Sequence, residues 1–183
     1  MANTATRSTE ILNANSIAKN VALVIGASLV ISVCARLSVP LPFTPVPFTL
    51  ANLALLAAGL FLGSKRAGAA ALLYLAYGAM GVPVFSPAST GLLGVTAGYL
   101  WAFPLVAFVA GFISERGDRS FARNLIAALA GDLVLFIGGI SWLFAFTHSW
   151  QKALMLGGYW FVFGEVIKIM AAAGLASRFR RTV

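Results

Sequence analysis

Residues 153–176 read ALMLGGYWFVFGEVIKIMAAAGLA, an apolar stretch that contains two ionisable side chains, Glu165 and Lys168. Because they are three positions apart, they share one face of a helix. A charged side chain at the centre of a bilayer costs at least ~2.5–3.5 kcal/mol, so such a pair indicates a functional site. The alternative is a structural ion pair that holds the helix in its place within a bundle.

The composition of the chain is that of an integral membrane protein. Of its 183 residues, 60% are hydrophobic and 10% are charged, and the mean hydropathy is +0.92. A soluble domain cannot bury that much apolar surface. We therefore expect an all-α membrane protein with six transmembrane helices, at residues 17–35, 48–63, 67–82, 92–114, 125–146 and 153–176. The second and third segments are short for a span, which needs about 17–25 residues, and this favours tilt or helices that stop inside the protein.

Lysine and arginine concentrate at one set of segment ends and predict the orientation. The loops at the opposite ends, residues 37–47, 83–91 and 147–151, contain neither residue. Cytoplasmic loops retain basic residues, so both termini are predicted to be cytoplasmic. The basic side carries Arg7, Lys19, Lys65, Arg66, Arg116, Arg119, Arg123, Arg178, Arg180 and Arg181.

The formal charge of +8 follows from this bias and from attraction to anionic lipid, and it requires no nucleic acid partner. We expect a multi-pass protein of the inner (plasma) membrane in contact with the lipid bilayer. Its organisation is a polar N-terminal segment at 1–16, a six-helix membrane domain at 17–176 and a basic tail at 177–183.

The loops on the side without basic residues are uncharged and rich in turn residues. Residues 37–49, LSVPLPFTPVPFT, contain four prolines and two phenylalanines. Proline at this density excludes helix and favours an extended path, and the apolar residues between need cover. We interpret the loop as a lid over a cavity, and a loop lying among lipid headgroups is the alternative. The second such loop leads into Thr96 and Tyr99, whose hydroxyls lie among small residues and provide polar contacts in a small cavity.

In order and spacing, several motifs resemble the BioY family of biotin transporters. They are PFTPVPFT at 42–49, Tyr74, GVPVF at 81–85, GVTAGYL at 94–100 and GEVIK at 164–168. The resemblance covers nearly all of residues 18–176. The family usually has aspartate at the position of Glu165 and glutamine at that of Ala51, for which Asn52 is a substitute.

The resemblance implies a function and a set of site residues. BioY proteins are substrate-binding S components of energy-coupling factor (ECF) transporters, so biotin is the implied substrate. A carboxylate can accept the ureido N–H groups of biotin, and a lysine can donate to its carbonyl oxygen. Arg36 is a candidate partner for the carboxylate of biotin. The implied substrate-binding residues are Glu165 and Lys168 at the ureido end, Thr96, Tyr99 and Asn52 as further polar contacts, and Phe43, Thr44 and Phe85 in the lid.

The first helix carries small residues at four-residue spacing, Ala18, Ala22 and Gly26. Such a face permits close contact between helices, either inside the bundle or with a partner. The resemblance implies that it docks on a coupling transmembrane subunit. The chain has no phosphate-binding loop, so no cofactor is expected and the ATPase subunits of an ECF module must energise transport.

Two other functions compete with this interpretation. An intramembrane enzyme or a metal site is disfavoured, because the sole histidine, His148, lies in a loop and no metal-binding motif is present. A proton-coupled carrier or channel is the stronger alternative. Asp132 in the fifth segment, together with Glu165 and Lys168, has the residue types of a proton relay.

Overall fold

A computed structural model describes residues 2–118 and 120–179, with side chains from residue 15 onward. Of the basic residues used to predict orientation, Arg7, Arg119, Arg180 and Arg181 lie outside the described side chains. The helices are α1 (Ala2–Arg36), α2 (Ala51–Leu62), α3 (Ser64–Ala79), α4 (Ala97–Glu115), α5 (Phe121–Thr147), α6 (Trp150–Leu154) and α7 (Val162–Phe179). A π-helical turn, Met155–Tyr159, follows α6.

Each of the six predicted segments coincides with helix, but the helices differ in length. The apolar part of α1, Asn15–Arg36, and helices α4 and α5 are long and apolar enough to cross a membrane. The α6–α7 pair is bent by 45° and gives a fourth crossing if it counts as one span. With 12 and 16 residues, α2 and α3 are only about 18 and 24 Å long, shorter than the ~30 Å hydrocarbon core. The described residues therefore contain three to four apolar spans by length and composition.

The fourth helix begins later than the sequence predicts, at residue 97 instead of residue 92. Residues 92–96 form a loop, and α4 starts at Ala97. Two tryptophans provide hydrogen-bond donors for this loop: Trp101 Nε1 donates to the carbonyl of Leu92 and Trp142 Nε1 donates to that of Gly94, both at 3.0 Å. Paired loop carbonyls of this kind make a non-helical backbone tolerable in an apolar setting.

The chain is mostly helical rather than strictly all-α, because the proline-rich loop forms a short ribbon. Strand β1 (Ser38–Val39) pairs antiparallel with β2 (Phe48–Thr49). Between the two strands the loop contains no helix, as its prolines predict, and it has a turn at residues 42–43 and a bend at residues 45–46. It ends at Ala51, where α2 begins, so the short second helix starts inside the bundle beneath the loop.

Helix α4 packs against α2, α3 and α5 through small residues. A Cβ atom on Gly98 would lie 2.6 Å from the carbonyl oxygen of Gly138, and one on Gly59 would lie 2.6 Å from that of Ala107. Close backbone approach replaces side-chain burial as the source of packing between helices in lipid. The bundle has a loop end, which carries residues 37–50, 80–96 and 148–149, and a basic end, which carries Lys65, Arg66, Arg116, Arg123 and Arg178.

Candidate functional site

A cavity of about 70 Å³ lies at the loop end. Its wall combines residues of the proline-rich loop with the first turns of α2, α4 and α7, and with parts of α3 and α5. The polar side chains in the wall include Asn52, Ser86, Ser89, Thr96, Tyr99, Glu165 and Lys168, and the aromatic ones are Tyr74, Phe103, Phe136 and Phe161. This mixture of apolar surface and a few convergent polar groups is typical of a small-molecule site.

The polar side of the cavity is a hydrogen-bonded network that joins three helices. Lys168 Nζ lies 2.6 Å from Glu165 Oε1. The amide nitrogen of Asn52 donates to Glu165 Oε2 at 2.6 Å and to Asp132 Oδ1 at 2.7 Å. Lys168 Nζ also lies 4.0 Å from the centre of the Phe48 ring, a cation–π distance. All four network residues are buried, with 3–6% of their surface exposed.

Local structure explains why these side chains meet. Glu165 is in the first turn of α7, directly after the bend, and Lys168 is one turn later. Asn52 is in the first turn of α2 because the proline-rich loop delays the start of that helix. Asp132 follows Gly131, where a Cβ would lie 2.9 Å from Leu56 Cδ2. The absence of a side chain at residue 131 lets α5 approach α2 and brings Asp132 to Asn52.

Tyr99 and Thr96 line the opposite part of the wall, at the start of α4. The Tyr99 hydroxyl donates to the carbonyl of Gly157 at 2.7 Å. Its ring and hydroxyl fill the space that side chains at Gly139 and Gly157 would need. Thr96 Oγ1 lies 3.3 Å from Thr90 Oγ1. The two hydroxyls thus connect α4 to the π-helical turn and to the second loop.

The three predicted lid residues lie outside the cavity wall and hold the loops in place instead. The Thr44 hydroxyl donates to the carbonyl of Leu156 at 2.5 Å. Phe43, which is 48% exposed, contacts Trp160 with ring centres 4.8 Å apart. Phe85 meets Tyr74 edge to face at 5.3 Å. Loop residues that do line the cavity are Val46, Pro47, Thr49, Ser86 and Ser89.

Some cavity residues had no site role in the sequence prediction. Tyr74, Ser86 and Ser89 line the cavity. The sequence indicates Tyr74 only as part of a motif, and the two serines only as members of an uncharged loop. Their hydroxyls in an uncharged, turn-rich loop were the available signal, but spacing alone does not tell which loop residues point inward. Arg36 is outside the wall, and its guanidinium donates to the carbonyl of Pro83 at 3.1 Å.

The small residues of α1 face outward from the bundle. Ala18, Ala22 and Gly26 are exposed, and a Cβ on Gly26 would meet no heavy atom within 4 Å. In the described structure these three positions are therefore not buried against other helices of the bundle. The face is open to lipid or to another protein.

Apolar helices around a cavity with a few convergent polar groups define this chain as a multi-pass membrane protein with a candidate small-molecule site. The model of the BioY family matches residues 3–183. This chain belongs to the BioY family.

Individual relatives cover most of the chain. A biotin transporter BioY of Thermotoga maritima is 37% identical over 146 residues, which are 78% of this chain and 86% of that protein. A probable biotin transporter BioY of Pyrococcus horikoshii is 37% identical over 164 residues, 88% of this chain and 96% of that protein. The crystal structure of an S component for biotin from an ECF-type ABC transporter is similar, with a TM-score of 0.81 at 25% identity over 91% of this chain and 93% of that one.

Replacing Thr44 with valine removes the hydroxyl that ties the proline-rich loop to the π-helical turn. One hydrogen bond contributes about 1 kcal/mol, so amide hydrogen exchange in residues 40–49 is expected to accelerate about fivefold. Exchange measured by mass spectrometry on the purified protein tests this. The control is Thr147→Val, whose hydroxyl bonds to the carbonyls of Leu143 and Ser149, neither of which belongs to the proline-rich loop. Equal exchange in the Thr44 and Thr147 variants would contradict a tethering role.

Proposed function

We propose that this chain binds biotin in the membrane and delivers it as the S component of an ECF-type transporter. The observation that carries the proposal is the buried Asn52–Glu165–Lys168 cluster in the wall of the cavity. Membership of the BioY family supports it, as do the names of the relatives. The proposed role is capture and transport, without an enzymatic step.

The chemistry of the cluster suits the ureido ring of biotin. That ring presents two N–H donors and one carbonyl acceptor. Glu165 accepts one N–H, and the side-chain oxygen of Asn52, which is buried and has no hydrogen-bond partner among the described residues, accepts the other. Lys168 donates to the carbonyl. Charged partners make such hydrogen bonds stronger than neutral ones, and the aromatic wall covers the apolar ring system.

The size of the cavity implies that the lid moves when the ligand enters. A volume of about 70 Å³ holds a few water molecules at ~10–15 Å³ each, whereas sites for drug-sized ligands measure ~300–1,000 Å³. We propose that the loop around Thr44 swings outward. The hydrogen bond from Thr44 to the carbonyl of Leu156 holds the loop closed, and this bond must break for the movement. Phe43 and Phe85 then affect ligand binding indirectly, because they hold in place the loops that line the cavity.

A proton-coupled carrier is the second candidate, since Asp132 and Glu165 share the Asn52 amide and Glu165 pairs with Lys168. Such a carrier needs a proton gradient to act. An S component binds its substrate without any gradient. Tight binding of biotin by the purified protein in detergent is therefore expected of a capture subunit and not of a channel.

Purified protein is expected to bind biotin with nanomolar-scale affinity, about −12 kcal/mol, in calorimetry, and desthiobiotin should compete because it retains the ureido group.

Lys168→Ala breaks a desolvated pair, which costs ~2–5 kcal/mol, so biotin affinity should fall at least about 30-fold. Glu165→Asp, which restores the usual family residue, should be tolerated.

Lys152→Ala is the matched control, because Lys152 is an exposed lysine on α6 and is not part of the cavity wall. Its affinity for biotin should equal that of the parent. Absence of heat and of competition at micromolar biotin would remove the substrate assignment. Full affinity in a folded Lys168→Ala variant would make the pair structural.

We propose that this chain lies in the inner (plasma) membrane and crosses it six times, with both termini in the cytoplasm. The basic end supports this orientation, because Lys65, Arg66, Arg116, Arg123 and Arg178 lie there. The short helices α2 and α3 then cross with the help of the adjoining loops. This arrangement comprises the predicted polar N-terminal segment at 1–16, the six-helix membrane domain at 17–176 and the basic tail at 177–183.

Cysteine labelling tests the orientation in a background in which Cys34 is replaced by alanine. Gln151→Cys at the loop end should react with a membrane-impermeant maleimide in intact cells, since that end faces outward. Lys65→Cys should react only after lysis. Labelling of residue 65 in intact cells would reverse the topology.

We propose that the exposed face at Ala18, Ala22 and Gly26 receives the coupling subunit of an ECF module, whose ATPase subunits supply the energy. Its small side chains permit a partner helix to approach closely. The open space beside Gly26 supports this role. The face lies on α1, away from the α5–α7 side of the binding network.

Ala22→Trp is expected to block this approach, so biotin uptake by cells should fall while biotin binding by the purified variant stays within about twofold of the parent. Ala145→Trp, an exposed alanine on α5, is the control and should retain both activities. Parallel loss of binding, uptake and thermal stability in Ala22→Trp would instead assign the face to bundle packing.

A further inference from the structure

Asp132 is a buried carboxylate: 6% of its surface is exposed, and its neighbours Asn52 and Glu165 are buried too. Unlike them, it is not among the residues that line the cavity. It accepts a hydrogen bond from Asn52 at 2.7 Å. A carboxylate at this depth costs at least ~2.5–3.5 kcal/mol. A direct contact with the ligand does not account for it, whereas its hydrogen bond with Asn52 joins it to the polar network of the site.

The geometry of the network sets the orientation of the Asn52 amide. A carboxylate oxygen accepts hydrogen bonds, and a side-chain amide has two N–H groups on its nitrogen. Both carboxylates, Asp132 and Glu165, lie within 2.7 Å of that nitrogen, so each takes one N–H. The oxygen of Asn52 is buried and has no hydrogen-bond partner among the described residues. It is the atom of Asn52 that remains for a ligand.

We infer that Asp132 is a positioning residue that makes the site selective for ligands with two N–H groups. By holding the second N–H of Asn52, it ensures that Asn52 offers the ligand an acceptor and no donor. Together with Glu165, the site then presents two acceptors, which match the two ureido N–H groups. Without Asp132 the amide can turn and direct an N–H at the ligand, which favours an acceptor at the same place. This inference rests on the proposed binding of biotin.

The test compares desthiobiotin with its two cyclic carbamates, in each of which one ring N–H is replaced by oxygen. A site built to accept an N–H rejects an analogue that lacks it. The parent protein should prefer desthiobiotin over each carbamate at least about 100-fold in calorimetry. In Asp132→Leu the preference over one carbamate should shrink at least about tenfold. In Asp132→Asn, whose amide oxygen still accepts from Asn52, the parental preference should be retained.

A second measurement needs no ligand. Selective ¹⁵N labelling of asparagine lets nuclear magnetic resonance follow the side-chain amide of Asn52, identified by its absence in Asn52→Leu. Both amide protons should exchange slowly with solvent in the parent and in Asp132→Asn. One of them should exchange at least about tenfold faster in Asp132→Leu, because it has lost its acceptor.

The control is Asn124→Leu, which removes another buried hydrogen bond of α5, that from the Ser114 hydroxyl at 3.0 Å. It should lower thermal stability and change neither the ligand preference nor the exchange of Asn52. If Asp132→Leu weakens all three ligands by one factor and leaves the exchange unchanged, Asp132 is merely structural. If the parent binds none of the ligands, the biotin assignment and the selectivity both fall, and the exchange measurement still decides whether Asp132 orients Asn52.

Discussion

The buried hydrogen-bonded network of Asn52, Asp132, Glu165 and Lys168 is the constraint on which the loop end of this protein depends. It is the point at which α2, α5 and α7 are joined by polar contacts inside an apolar bundle. Two carboxylates and one ammonium group are costly in this setting unless each has partners. The geometry of the three helices is therefore tied to the geometry of the site. A displacement of any one of them would remove a hydrogen-bond partner from a buried carboxylate.

The proline-rich loop and the bend before α7 make room for this network. The loop ends at Ala51, which sets Asn52 in the first turn of a short helix, where its side chain is buried. The bend exposes backbone carbonyls at Leu156 and Gly157, and these accept from Thr44 and Tyr99. Non-helical backbone is tolerated at membrane depth only where it is buried in protein or lines a cavity. The irregular segments and the cavity thus account for each other.

The buried polar network and the exposed small-residue face of α1 occupy different parts of the molecule. The polar network lies between α2, α5 and α7, whereas the small-residue face lies on the exposed side of α1. In lipid, association of helices depends on close packing rather than on the hydrophobic effect, so a face of alanine and glycine is suited to a partner. This separation is the reason that the two proposed roles can be tested by separate substitutions.

The sequence by itself determined the class of protein, the approximate helices and the local pair Glu165–Lys168, because composition and helical spacing are properties of neighbouring residues. It did not predict the ribbon at Ser38–Val39, the start of α4 at Ala97 or the bend before α7. Only the tertiary structure joined Asp132 to Asn52, which are 80 residues apart, and turned Thr44 towards Leu156 rather than into the cavity. These contacts depend on how closely whole helices approach, and that approach is set by glycines such as Gly131 acting against residues far away in the chain.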